Sequence, residues 1–452
     1  MNYQVTNRAK IISLAFMVIG LIVIAAGFIV DDSSHHGRWW TNLFVNGLFF
    51  TFAGLGALYF VALQYATEAA WSVMARRIYE AIMSFVPYGL GVVMLVLVVG
   101  QFHGHHLFHW MDSGLYKEVI VEGTEGALYI EDVAFDGMDI ADPHVLEYTM
   151  RDLIKGKTFV TPEGNTISVN PEYDHLIDGK SAFFHPAFFW LRQVAYVLTF
   201  IVFMRAFRKR SLKEDEEGGK SLHITNYKKG AVFLVFFAVF SSVLAWDWVM
   251  SIDTHWFSTM FGWYVFSGMW VSAMIAAVVM ALYLKDKGLM PKFNNSHLHD
   301  MGKWMFAISF LWSYLWFCQF MLIWYSDIPE EVTYFVTRFE NYPVVMWLIF
   351  AINFVLPMVI LMSRDSKRNA KFLITIGTII FVGHWLDVWL MVAPTGVSMA
   401  DHSHLAAPGW MEVGFFIGFL GLFMRIVLNK LAEAPLVPTK SPYFDESIQH
   451  HI

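Results

Sequence analysis

Ten stretches of apolar residues divide the chain, near 11–30, 42–63, 79–100, 187–206, 230–250, 259–284, 304–325, 343–362, 372–392 and 410–429. A helix crossing roughly 30 Å of hydrocarbon needs about 20 such residues, and each stretch supplies them. Most of the polar segments between them are short connections. The exception is 101–186, a long polar interval between the third and fourth stretches. This pattern predicts an all-α integral membrane protein of ten transmembrane helices. The first stretch follows Arg8 and Lys10 and lacks a small-x-small cleavage pattern, so it reads as an uncleaved anchor rather than a signal peptide.

The loops set the orientation. Cytoplasmic connections are enriched in Lys and Arg. With the N-terminus inside, the cytoplasmic segments hold Arg8 and Lys10, Arg76 and Arg77, the run Arg205 to Lys229, Lys285 to Lys303, Arg364 to Lys371, and Arg425, Lys430 and Lys440. That is most of the 31 basic residues. The opposite loops carry acids: Asp31, Asp32, Asp253, Asp327, Glu330, Glu331, Glu340 and Asp401. Both termini are therefore expected in the cytoplasm. The chain then divides into 1–100 with helices 1–3, an outer insertion at 101–186, 187–430 with helices 4–10 and a cytoplasmic linker at 207–229, and a cytoplasmic tail at 431–452.

Composition agrees. Of the 452 residues 57% are hydrophobic and only 15% charged, against about a quarter charged in a soluble chain. The 18 Trp and 42 Phe suit helix packing and interfacial belts. A net charge of −7, with acids and bases segregated by loop, offers no basic face to nucleic acid. The single cysteine, Cys318, excludes an internal disulfide, a Cys-x-x-Cys-His haem attachment and a cysteine-held iron–sulfur cluster. Only His384 lies deep enough for an axial haem ligand, and a b-type haem needs a facing pair.

Within the insertion, Thr158 to Val160 and Thr166 to Val169 alternate as a small hairpin around Thr161-Pro162-Glu163-Gly164-Asn165, and Pro143 to Ile154 reads as a helix. The segment is short for an independent domain, and its use reads as a docking surface on the outer face rather than a mere spacer. The segment Ser211 to Lys220 is dense in charge and reads as a solvated, flexible cytoplasmic linker.

Ionisable groups inside the bilayer cost about 2.5–3.5 kcal/mol each on insertion scales, so each asks for a partner, a water cavity or a role. The ninth stretch contains Gly383-His384-Trp385-Leu386-Asp387, with His384 and Asp387 on one helix face. The pair reads either as packing glue or as a proton relay. The fifth ends in Trp246-Asp247-Trp248, with Asp247, Ser251 and His255 spaced by four as a candidate polar stripe. Towards the inner face, Gln64 and Glu68 lie four apart, and Glu80, Ser84 and Tyr88 repeat that spacing. They read as helix ends in cytoplasmic water or as the mouth of a half-channel. An outer group (Asp247, His384, Asp387) and this inner group then form two candidate proton half-paths meeting near Asn353. His103, His105, His106 and His109 invite a metal reading, but Gly104 and the want of an assured third ligand favour an interfacial cluster.

The run Ala245-Trp-Asp-Trp-Val-Met-Ser-Ile-Asp-Thr-His-Trp-Phe-Ser-Thr-Met-Phe-Gly262, continuing to Trp270, resembles a signature of alternative complex III, a bacterial quinol:cytochrome c oxidoreductase. With Gly383-His-Trp-Leu-Asp387 and ten spans, the chain resembles the F subunit of that complex, often labelled its second quinone-binding subunit, in the polysulfide-reductase membrane-subunit-like superfamily. The likeness covers nearly all the membrane portion and not the insertion. It implies two four-helix bundles plus two further helices in a bacterial inner membrane. The implied partners are a homologous membrane subunit, an iron–sulfur subunit, multihaem and monohaem cytochrome c subunits, a small membrane anchor and a terminal oxidase. Iron–sulfur clusters and haem c would then sit in those partners, with no redox centre in this chain.

Three functions follow as expectations. The first is a non-catalytic subunit with a structural role and a proton path through Asp247, Ser251, His384, Asp387, Glu68, Glu80, Tyr88 and Asn353. The second is a subunit that itself binds quinol or menaquinol, using His384 and Asp387 as proton acceptors. The third is a free-standing secondary transporter, for which paired Gly/Pro breaks in two halves would be expected.

Overall fold

The computed structural model describes residues 3–451, apart from 125, 402–406 and the side chains of 398–401. Asp401, counted above with the outer acids, therefore lies outside the described side chains. Among the described residues ten helices are long and apolar enough to cross a membrane: Asn7–Val30, Ser34–Ala66, Arg76–Gln101, Pro186–Glu217, Ser221–Ile252, Phe261–Asp286, Asn295–Ser326, Pro343–Ile360, Ala370–Val397 and Trp410–Ala432. They are numbered spans 1 to 10. The protein is an all-α, multi-pass membrane protein, and each span falls on one of the apolar stretches. Ten crossings return the C-terminus to the side of the N-terminus, the inner side by the charge rule.

Span 2 is the axis. Its apolar window is 94% buried, against 17% for span 1, and it packs on spans 3, 5, 6, 9 and 10. Lipid tails supply little hydrophobic drive for helices to associate, so close contact through small residues takes over. A Cβ at Gly56 would stand 2.2 Å from the backbone carbonyl oxygen of Met269 on span 6, and only glycine permits that approach. Spans 3 and 5 pack on span 2 as one group, and span 4 touches span 5 through Phe200 and Phe233. Spans 6–9 form the other, and spans 1 and 10 pair with each other. Span 1 buries Ser13, Gly20 and Gly27, one small residue every seven, and presents them to span 10. Gly20 and Gly418 meet backbone to backbone.

The stretch expected to be a flexible linker is largely helical. Span 4 continues to Glu217, and span 5 starts at Ser221 after a turn at Gly218 and Gly219, both with positive φ. Ser211 and Glu214 are buried, because the charges of this stretch are neutralised by side chains on span 3 rather than by water. The tail is also tied down. Asn294 donates to the His450 carbonyl (2.8 Å), and the Ser447 hydroxyl donates to the Trp71 carbonyl (3.2 Å).

Residues Phe108–Arg192 form a second compact unit with its own core. Strands β1 (Val119–Val121), β2 (Phe159–Val160) and β3 (Thr166–Val169) form an antiparallel sheet in the order β1-β3-β2. The anticipated hairpin is β2–β3, turning at Gly164 with φ +90°, and the anticipated helix is Pro143–Ile154. Val119, Ile130, Phe135, Leu153 and Ile167 fill the core. Strand β1 escapes the sequence pattern because three residues are too few to show alternation.

Overpacking a tight helix crossing costs about 1–3 kcal/mol. Gly20→Ile is expected to lower the melting temperature of the solubilised protein well below that of Gly91→Ala, since nothing lies within 4 Å of a Cβ at Gly91. Equal melting temperatures would contradict the backbone contact between spans 1 and 10.

Candidate functional site

Asp387 is a buried ionisable group of span 9, and three spans meet at it. Tyr264, in the first turn of span 6, donates its hydroxyl to Asp387 Oδ1. Trp312, midway along span 7, donates its indole Nε1–H to Oδ2 at 3.0 Å. All three are buried. Both carboxylate oxygens thus accept from uncharged donors, which offsets the burial cost without an ion pair.

Beside Asp387 lies a cavity of about 20 Å³, lined among others by Tyr264, Trp312, Gln319, Tyr334 and Arg338. That is room for about one water molecule. The Gln319 Nε2 amide is buried there without a hydrogen-bond partner. A second cavity of about 10 Å³ touches the other side of Asp387 and reaches His384 and Ser272. Both are far smaller than the roughly 300–1,000 Å³ of small-molecule sites.

Arg338 comes from the outer helix Pro329–Asn341, and backbone chemistry holds it. Pro394 lies inside the helix of span 9 and has no N–H, so the Leu390 carbonyl lacks its helical donor. Arg338 supplies the replacement: Nε donates to Leu390 O (3.2 Å), Nη2 to Met391 O (3.1 Å) and Nη1 to Tyr334 O (2.9 Å). Its guanidinium also lies over the Tyr334 ring, 3.3 Å from the centroid. A cation is thereby fixed at the cavity that Asp387 lines.

His384 and Asp387 share a helix face as expected, yet they do not bond. Both ring nitrogens of His384 are buried without a hydrogen-bond partner, and the ring stands edge-on to Trp312 at 5.4 Å. Trp312 is thus the element common to both, its N–H spent on Asp387. One residue away, a Cβ at Gly383 would fall 2.2 Å from Asn353 Oδ1. Asn353 sits in a π-helical turn, Ala351–Val355, where the Leu356 N–H reaches back to Ala351 O. Pro357 explains the turn, because it lacks the N–H that an α-helix directs at the Asn353 carbonyl. The Asn353 amide is buried and unpartnered. The Asn353 amide therefore lies against Gly383, the residue before His384.

Asp247 forms a separate site. It is fully buried and accepts from Tyr196 (2.9 Å) and Gln193 (3.2 Å), while Trp248 donates to Gln193 Oε1 (2.6 Å). The spacing of four is not carried by one α-helix. The α-helix ends at Trp248, Ser251 returns its hydroxyl to the Asp247 carbonyl at 2.6 Å, and His255 lies beyond the helix.

The inner group does not form one site. Glu80 is not at a water-filled mouth: it is buried and paired with Arg77 at 2.6 Å, with Arg208 further off at 3.9 Å. Arg77 also binds Asp215 and the Ser211 hydroxyl (3.0 Å), so the cluster locks span 3 to span 4. Gln64 is buried, Ser84 bonds its own helix, and Glu68 is exposed and accepts from the Tyr443 hydroxyl at 3.0 Å. Tyr88 is exposed. The inner half-path thus resolves into a structural ion cluster and two surface groups.

Of the four clustered histidines, His105 spends both nitrogens on backbone, Nε2 donating to Val96 O (2.9 Å) and Nδ1 accepting from Leu107 N (3.2 Å). Among the described residues no three His, Cys, Asp or Glu side chains are grouped to hold a metal. Burial pushes His105 down to about 4.

Several site residues are absent from the sequence reading: Tyr264, Trp312, Gln319, Arg338, Gln193 and Tyr196. Arg38 and Glu412 are absent too; they form a bidentate pair at 2.8 and 2.9 Å that joins spans 2 and 10, with Asn42 donating to Glu412 at 2.9 Å. One signal was present: Pro394 announces an orphan carbonyl at Leu390, and Arg338 is a basic residue in an otherwise acidic outer connection.

Two outcomes follow. Arg338→Met should destabilise by about 1–3 kcal/mol through the unpaired carbonyls. The loss should be smaller in a Pro394→Ala background, where residue 394 regains its N–H; a double-mutant cycle on chemical denaturation without coupling would rule this out. For His105 the unfolded ring titrates near 6.5 and the folded ring near 4. Its contribution is therefore complete above about pH 6.5 and falls as pH drops through about 4. His105→Gln should flatten the melting temperature across that window relative to the parent, and parallel curves would show that His105 is not responsible. Compared with known proteins, the chain matches no protein-family model and no curated protein.

Proposed function

We propose that this chain is a membrane subunit of a bacterial quinol:cytochrome c oxidoreductase of the alternative complex III type, with no redox centre of its own, and that its outer half conducts protons. The resemblance of Ala245 to Gly262 supports the complex. The observation that carries the proton role is the enclosure of Asp387. A carboxylate with two uncharged donors touches two water-scale cavities, and one of these also touches a fixed arginine. Gln319 and His384 line these cavities with unpartnered buried nitrogens, and the unpartnered Asn353 amide lies against Gly383. Such groups call for an explanation in a membrane interior, and a hydrated proton route through them is the one their chemistry fits.

In this reading Asp387 exchanges a proton with a water held beside Gln319 and Arg338. The arginine stabilises the carboxylate after proton release, and Tyr264 and Trp312 keep both oxygens oriented. Both cavities are too small for a quinol ring, which favours proton transfer over quinol oxidation at Asp387. Quinol, iron–sulfur and haem chemistry then belong to partner subunits in the same inner membrane.

Asp387→Asn in the assembled complex is the direct test. Loss of the ionisable group should slow quinol-driven cytochrome c reduction by roughly 10²-fold, the low end of general acid–base effects, with subunit composition unchanged. Parental turnover in an assembled complex would remove the proton role. A gently solubilised preparation that carries no c-type haem and no partner subunits would remove the complex itself.

A further inference from the structure

A cleft of about 600 Å³ opens at the inner end of spans 3, 4 and 10, lined among others by Tyr88, Met204, Arg205, Arg208, Lys209 and Lys430. Its volume suits a small ligand. Its charge is one-sided, since four basic side chains and no acid line it. Two of the four are already engaged. Arg208 donates to the Lys430 carbonyl (2.7 Å) and pairs with Glu433 at 3.5 Å, and Lys430 pairs with Glu433 at 2.7 Å. These bonds staple spans 4 and 10 together as the floor. Arg205 and Lys209 are exposed at the rim, with no carboxylate within 4 Å among the described residues.

The walls are apolar and continue into the membrane. On span 4, Val194, Leu198 and Val202 are exposed on the same helix face as Arg205 and Lys209, since steps of three and four return to one face. On span 3, Tyr88, Leu95 and Val98 form a matching exposed stripe. Gly91 lies on that stripe and has open space before it. Two apolar rails thus run from the mid-bilayer to a basic rim at the inner surface. That is the outline of a phospholipid: acyl chains along the rails, an anionic phosphate between Arg205 and Lys209. Basic pockets between helices on the inner side are suited to anionic headgroups.

We propose that this cleft is a binding site for an anionic phospholipid of the inner leaflet, with Arg205 and Lys209 holding the headgroup phosphate and Tyr88 donating to it. The site does not depend on the electron-transport reading; it stands on the position of the basic rim at the end of the apolar rails. The lipid would lie against three spans that the Arg208 bonds and the Phe85–Phe423 ring contact hold together.

The test is native mass spectrometry of the detergent-solubilised protein after exchange into mixed micelles containing phosphatidylglycerol or phosphatidylcholine. The parent should retain phosphatidylglycerol and not phosphatidylcholine. Each basic group near an anionic surface contributes roughly a fivefold factor in affinity, so Arg205→Gln with Lys209→Gln should weaken retention by about 25-fold. Tyr88→Phe, a milder change, should weaken it less, which guards against misfolding of the double variant; circular dichroism would verify the helices in each. Inorganic phosphate at millimolar concentration should not displace the lipid, and displacement would mark a free-anion site instead. Equal retention of both lipids, unchanged retention in the double variant, or crosslinks from residue 205 to a protein chain in native membranes would each overturn the proposal.

Discussion

Close backbone approach at span 2 is the constraint on which the rest of the membrane unit depends. Because hydrocarbon solvates leucine as well as another helix does, five helices can gather around one only if dispersion contacts are dense. Gly56 against the Met269 carbonyl brings span 6 in, and a Cβ at Gly230 would meet the Ala62 carbonyl at 2.8 Å as span 5 comes in. Once those helices are close, polar side chains can reach across. Trp385 on span 9 donates to Asn46 on span 2 at 3.1 Å, and Asn42 reaches Glu412 on span 10. The polar sites are consequences of that packing, because their partners come from different spans.

The two ends of the membrane unit handle buried charge differently. At the inner end Arg76, Arg77, Glu80, Glu214 and Asp215 neutralise one another between spans 3 and 4. Such a cluster is costly to desolvate and costlier to break, so it sets the helix register rather than adding stability. Towards the outer end Asp387 has a hydroxyl and an indole donor, and Asp247 accepts from a hydroxyl and an amide. The nearby cation Arg338 is spent on the Leu390 carbonyl freed by Pro394 and on the Met391 and Tyr334 carbonyls, so it lends charge to the site without capturing the carboxylate.

Proline places the irregular backbone. Pro357 opens the π-turn that carries Asn353, and Pro394 frees the carbonyl that Arg338 caps. Irregular backbone at membrane depth survives only where protein satisfies it, and here it borders the polar groups of span 9. Gly383 completes the arrangement by leaving space for the Asn353 amide.

Ten spans and the buried carboxylates were legible in the sequence, because solvation by lipid imposes apolar runs of fixed length and makes each ionisable exception visible. The β2–β3 hairpin and its turn were legible for a local reason, the φ > 0 at Gly164. The partners were not. Asp387 pairs with Tyr264 and Trp312, 123 and 75 positions away, and not with His384 three residues along its own helix. Glu80 looked like a solvated helix end because hydropathy cannot register Arg77 and Arg208 closing over it, and the charges of 211–217 looked like linker for the same reason. Sequence determined which residues enter the membrane, since that depends on transfer free energy along one chain. Which of them meet depended on helix rotation and close packing, which only the tertiary structure decides.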